Sequence, residues 1–211
     1  HLDIARHFDF TFLAQKDYVK KMTDAGIKNV FWLPLACDPD IHGKVEQEKT
    51  WDVGFVGTIP DTRNRRKTLL EKIGSRFNLS CERKFMGEMA EHYSRSKIVF
   101  NNAINNDLNM RVFEALCSGS LLLTDGASGS GLEDMFENRK HLIIYEDENI
   151  ENLISHYLDD AKERELIAEQ GRQEVLKNHT YAHRAENLIN VLNREVELYA
   201  KDSNDMEKSE N

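Results

Sequence analysis

The stretch "NDLNMRVFEALCSGSLLLTD", residues 106–125, decides how the rest of the chain is read. At about 100° per residue, Leu108, Met110, Val112, Phe113, Ala115, Leu116 and Cys117 sweep more than half the circumference of a helix. Asp107, Arg111, Glu114 and Ser118 fall together in a narrow arc of roughly 80°. Asn106 or Asp107 is placed to cap the N-terminus, and Gly119 ends the helix. "SLLLT" then runs on as an interior strand. A helix buried on most sides, a glycine stop and a uniformly apolar strand point to a parallel sheet covered on both faces.

The same alternation continues in both directions. "FDFTFLAQ" (8–15), "NVFWLPLA" (29–36), "WDVGFVG" (51–57), "CERKFMG" (81–87), "KIVFN" (97–101) and "HLIIYED" (141–147) read as strands. Helices are expected over 61–74, in "EMAEHYSRS", and in three stretches between about 148 and 200. The fold class is therefore α/β, a Rossmann-like parallel sheet with helices on both faces. Residues 1–40 and 41–200 read as two units, with a polar, linker-like stretch at 37–49. Residues 201–211, "KDSNDMEKSEN", are too polar to pack and read as a disordered tail. Ligands of such sheets bind at the carboxyl ends of the strands, where strand order reverses.

Composition narrows the function. The chain has 211 residues, 40% apolar and 31% charged, as an ordinary globular protein does. A net charge of −9 argues against a nucleic-acid partner. No run of about 18 apolar residues occurs, so no helical membrane span is expected. Cys37, Cys81 and Cys117 are scattered without metal spacing, which fits reduced thiols and a cytoplasmic location. The chain opens on His1 without a signal peptide, and is expected to be a piece of something longer. His179 and His183 read as the start of a helix, not as a metal site.

Two clusters carry the chemistry. Arg111 and Glu114 either form a partly buried i,i+3 ion pair of structural role, or Glu114 accepts two hydrogen bonds from a ligand diol such as a ribose while Arg111 orients it or meets a phosphate. Gly57 and Thr58 sit where a bare backbone can approach a diphosphate, and one of Arg63, Arg65 and Arg66 can neutralise it. The sequence leaves open which arginine points inward.

"MRVFEALCSGSLLLTD" resembles the donor-site signature of retaining GT-B glycosyltransferases of the family-4 type, and more closely that of spore-maturation-like glycosyltransferases. "WDVGFVGTIPDTRNRRKTLLEKI", "YSRSKIVFN", "GLEDMF", "HLIIYED" and "HTYAHRAENLI" follow that group's order. The resemblance implies the C-terminal half of a GT-B fold, with 1–40 the end of an N-terminal, acceptor-side domain and its linker and 41–200 a domain that binds a nucleoside-diphosphate sugar, a UDP-sugar as first expectation and an acceptor (glycan, protein or lipid) not identified. It implies a carboxylate at Glu114 on the ribose and no metal or other cofactor, the leaving-group charge being met by basic side chains and a helix N-terminus. The family carries a second Glu eight residues earlier, where this chain has Asn106. Two other readings stand beside it: a nucleotide-sugar 2-epimerase-like enzyme, and a non-catalytic module that binds a nucleotide sugar or a partner protein.

Overall fold

The computed structural model describes residues 2–59, 61–62 and 64–209, with side chains through residue 197. Its main sheet holds five parallel strands: β3 (Trp51–Val56), β4 (Leu79–Glu82), β5 (Ser96–Phe100), β6 (Leu121–Thr124) and β7 (Ile143–Ile144), in the order β4-β3-β5-β6-β7. Strand order reverses between β3 and β5, so their carboxyl ends form the switch point of the sheet. A smaller parallel pair, β1 (Thr11–Leu13) and β2 (Val30–Trp32), is joined through α2 (Lys16–Asp24).

Strand periodicity explains how the main sheet is covered on both sides. Val53, Phe55, Ile98, Phe100, Leu121 and Leu123 face one core with Leu69, Leu70 and Ile73 of α4 (Arg65–Gly74). That core also takes Ile150, Ile154 and Tyr157 of α8 (Ile150–Asp159). Val56, Val99 and Leu122 point the other way, against α5 (Met86–Ser94) and α6 (Met110–Cys117). Successive side chains alternate between faces, which is why strands oily throughout are required here.

α6 is shorter than its hydrophobic pattern suggests. It begins at Met110 after Asn109, whose side chain makes no capping bond. Asn106 and Asp107, expected as caps, lie in the preceding loop, with Asn106 in the left-handed region at φ +53°. The arc assignment holds for Val112, Phe113, Ala115, Leu116 and Cys117, all buried, but not for Met110, which is exposed. "CERKFMG" also divides differently: β4 starts at Leu79, and Met86 and Gly87 already belong to α5.

Two stretches cross between the sheets side by side. Cys37 bridges to Thr180, donating its N–H to His179 O and accepting from Tyr181 N. Between them α3 (Pro39–His42) and α9 (Ala161–Asn178) lead to α10 (Tyr181–Ser209). The backbone helix of α10 continues through 201–209, where a tail was expected; residues 210–211 lie outside the described residues. Among the described residues no helix is long and apolar enough to cross a membrane.

Candidate functional site

A cavity of about 390 Å³ opens at the switch point, where β3 and β5 end. Gly57, Arg66, Tyr93, Asp107, Arg111 and Glu114 contribute to its wall. It shares Glu114, Phe85 and Met110 with a second cavity of about 340 Å³ beside α3, and Asp107 with a third of about 520 Å³ beside α2. A larger, mostly apolar cavity of about 850 Å³ lies in the small two-stranded unit, around Phe8, Phe12 and Met22. It brings together none of the charged residues that the sequence singles out.

Arg111 is held by the ends of both strands flanking the switch point. Its Nε donates to Val56 O at 2.9 Å and its Nη1 to Asn101 Oδ1 at 2.7 Å, while the guanidinium lies over the Phe55 ring at 4.9 Å. This leaves Nη2 beside Gly57. A Cβ on Gly57 would sit 2.6 Å from that nitrogen and 3.0 Å from the Phe55 ring, so glycine is what lets the guanidinium lie there. Arg111 and Glu114 make no ion pair with each other among the described residues, and Arg111 is instead bonded to Val56 and Asn101.

Of the described arginines of the basic knot, Arg66 points inward and Arg65 does not. Arg66 Nη1 and Nη2 donate to the carbonyls of Thr58 and Asn102 at 3.1 and 2.8 Å, and its Nε is buried without a partner. It too lies over Phe55, at 5.4 Å. Burial first, and the neighbouring Arg111 second, work against its charge. Two guanidinium groups thus share one wall, and among the described residues no carboxylate is bonded to either. Arg65 turns the other way, bound to Asp147 through Nε and Nη2 and to Asp125 through Nη1 at 2.7 Å. Thr58 is exposed and contributes its carbonyl; Arg63 lies outside the described residues.

Glu114 is 7% exposed, and no hydrogen bond reaches its carboxylate among the described residues. Burial raises its pKa above the ordinary carboxylate value, and the Arg111 charge opposes that rise. Asn106 is turned away, its amide donating to Ser128 O at 2.8 Å. Asp107 accepts from Asn105 N at 3.3 Å and borders both the central cavity and the one beside α2.

The residues matched by a family model described as "Glycosyl transferase-like" are 63–190, more than half of the chain. The chain belongs to that glycosyl transferase-like family. No curated protein matches it in sequence. Its fold is shared by sucrose-phosphate synthase of Thermosynechococcus elongatus, with a TM-score of 0.67 at 11% identity over 95% of this chain and 61% of that one. HepE of Anabaena in complex with UDP-glucose gives a TM-score of 0.70 at 10% identity, over 92% of this chain and 66% of that one. The chain therefore spans less than two thirds of either structure. The C-terminal domain of the glycosyl transferase group 1 protein LpcC from Francisella tularensis matches at a TM-score of 0.54 and 14% identity, over 69% of this chain and 99% of that domain. The architecture is the Rossmann-like C-terminal half of a GT-B glycosyltransferase.

Three residues around this cavity and its neighbours were not singled out from the sequence. His42 of α3 lies with its Nε2 3.8 Å from Glu114 Oε1. Asn101 anchors Arg111, and the buried Tyr93 hydroxyl lies beside Arg111 without a hydrogen-bond partner of good geometry. A signal for His42 was present in "DPDIH", which has an N-cap Asp and a Pro at the first helical position. Asp38 and Asp40 in that stretch also have the Asp-x-Asp spacing of a metal motif. Here Asp38 Oδ1 accepts from Asp40 N at 3.0 Å as a helix cap, and Asp40 is exposed. Among the described residues no group of three or more potential ligands gathers around a metal position.

Proposed function

We propose that the switch-point cavity binds a nucleoside-diphosphate sugar, with uridine as the first base to test, and that the chain is the donor-binding part of a retaining, metal-independent glycosyltransferase. One observation carries the reading: a buried carboxylate, Glu114, shares a cavity with two guanidinium groups, and among the described residues the first accepts no hydrogen bond and the others have no carboxylate partner. A ribose diol supplies two donors to Glu114, and a diphosphate supplies the negative charge that Arg66 and Arg111 lack. HepE, similar in fold, is known in complex with UDP-glucose.

The arrangement accounts for catalysis through the leaving group. As the bond between sugar and diphosphate breaks, negative charge grows on the phosphate oxygens, and fixed guanidinium groups in a partly dry site stabilise it without reorganising. Arg66 and Arg111 are fixed in this sense by four hydrogen bonds to Thr58, Asn102, Val56 and Asn101. One observation favours the non-catalytic module as second reading: Asn106 is uncharged and its amide bonds Ser128 O. Sugar transfer or hydrolysis from labelled UDP-sugars separates turnover from binding alone.

Calorimetric titration with UDP, GDP and ADP tests the binding. UDP is expected to bind, and Glu114→Ala to weaken it by about 1.5–3 kcal/mol, the loss of a charged acceptor. No binding by any nucleotide, or an unchanged affinity in the variant, would remove the role of Glu114.

A further inference from the structure

We propose that His42 is a positioning residue for Glu114, holding its carboxylate turned into the cavity; the inference rests on the donor reading above. A buried carboxylate without a hydrogen bond is costly and has little to fix its orientation. Among the described residues, the charged or titratable group within 4 Å of it is His42 Nε2, with both side chains less than a tenth exposed and Arg111, Tyr93 and Tyr181 farther around it. At 3.8 Å the two are just beyond hydrogen-bond range, and a movement of under about 1 Å would join them.

The backbone decides which proton the imidazole presents. His42 Nδ1 accepts the N–H of Asp38 at 3.0 Å. That nitrogen must therefore be unprotonated, and the neutral ring carries its hydrogen on Nε2, the atom facing Glu114. Burial lowers the His42 pKa, with the Asp38 charge opposing, so the ring is a neutral single donor at physiological pH. Asp38 caps the short helix through Asp40 N and at the same time pins the ring, so the local fold of residues 38–42 serves to aim one N–H. With Oε1 taken by that donor, the remaining lone pairs of Glu114 are directed at the ligand.

Two substitutions separate anchoring from aiming. His42→Asn keeps an acceptor near Nδ1 for the Asp38 amide and removes the donor. His42→Gln places an amide N–H near the position of Nε2 and loses the acceptor. UDP binding by the chain, followed by NMR titration, is expected to weaken roughly tenfold in His42→Asn at an unchanged melting temperature. His42→Gln is expected to recover most of the affinity. In a Glu114→Ala background, which removes the acceptor that His42 faces, His42→Asn should add nothing further, because the residue acts through that carboxylate. Unchanged UDP affinity in His42→Asn, or the same fold-loss with and without Glu114, would overturn the inference and leave the donor reading standing. If the unaltered chain bound no UDP, the donor reading would fail first, and this inference with it.

Discussion

Asp125 and Glu114 are buried to the same degree, 7% exposed each, in opposite surroundings. Asp125 accepts from Arg65 Nη1 at 2.7 Å, Asn102 Nδ2 at 3.0 Å and Ala103 N at 2.9 Å, and Arg65 continues to Asp147. Glu114 accepts nothing among the described residues, and the guanidinium groups near it bond only carbonyls and an amide. A saturated network of this kind is self-sufficient and explains itself as structure. An unsaturated one costs on the order of 1–3 kcal/mol per buried group, which marks a place where a ligand is the missing partner. α4 contributes one arginine to each cluster, from adjacent positions.

Exchanging the roles of those two arginines is the strongest way to break the distinction. Arg66→Gln is expected to weaken UDP binding by about 2 kcal/mol, roughly thirtyfold, in calorimetry. Arg65→Gln should leave the affinity within about twofold and instead lower the melting temperature. Because the Arg65 side chain is 46% exposed, its pairs with Asp125 and Asp147 are screened and worth only about 0.5–1 kcal/mol. Equal losses of affinity from both substitutions would mean that saturation does not separate structure from site.

Much of this was legible in residue order, and the failures have physical causes. The order of strands and helices followed from apolar runs and helical period, because a sheet covered on both sides demands apolar residues at every strand position, but for the same reason the strand faces did not. The choice among the arginines was also written in the sequence: Arg66, Leu69, Leu70 and Ile73 share one helical face, so the arginine on the apolar side must go in. That signal depends on the helix starting after the Asn64 cap, whose Oδ1 accepts from Lys67 N, and the expected start at 61 blurred it. The onset of α6 was misplaced because Leu108 continues the helical pattern from a loop. There its backbone N–H and C=O are both bonded by the Gln15 side chain, a partner that periodicity cannot reveal. His42 was missed for a related reason, since the carboxylate it faces belongs to another element.

Gly57→Ala probes the same comparison more gently. The added methyl would sit 2.6 Å from Arg111 Nη2 and 3.0 Å from the Phe55 ring, on a backbone at φ +155° that disfavours any side chain, so the end of Arg111 must give way and the backbone is strained as well. A displaced guanidinium should weaken UDP binding by about 1 kcal/mol, roughly fivefold, with Asp125 and its partners unaffected. A crystal structure of the variant with Arg111 unmoved and affinity reduced would assign the effect to the backbone instead.

The smallest effect is in pH, and it distinguishes the two carboxylates by sign. Burial raises the pKa of Glu114 in the folded chain, so folding is weakened as pH rises from the ordinary carboxylate value through the raised one. Glu114→Gln removes that penalty. Its melting temperature should exceed that of the unaltered chain at about pH 7.5, with the difference closing toward about pH 4, where both states are protonated. Asp125→Asn has the opposite consequence at neutral pH, because it takes a charge from Arg65 and an acceptor from Asn102 and Ala103. Saturating UDP should reverse the Glu114 comparison. An ionised Glu114 then has its donors, so ligand-induced stabilisation is greatest above the raised pKa and declines on acidification. If UDP stabilised the unaltered chain and Glu114→Gln equally at both pH values, the carboxylate would not be the group that receives the ribose.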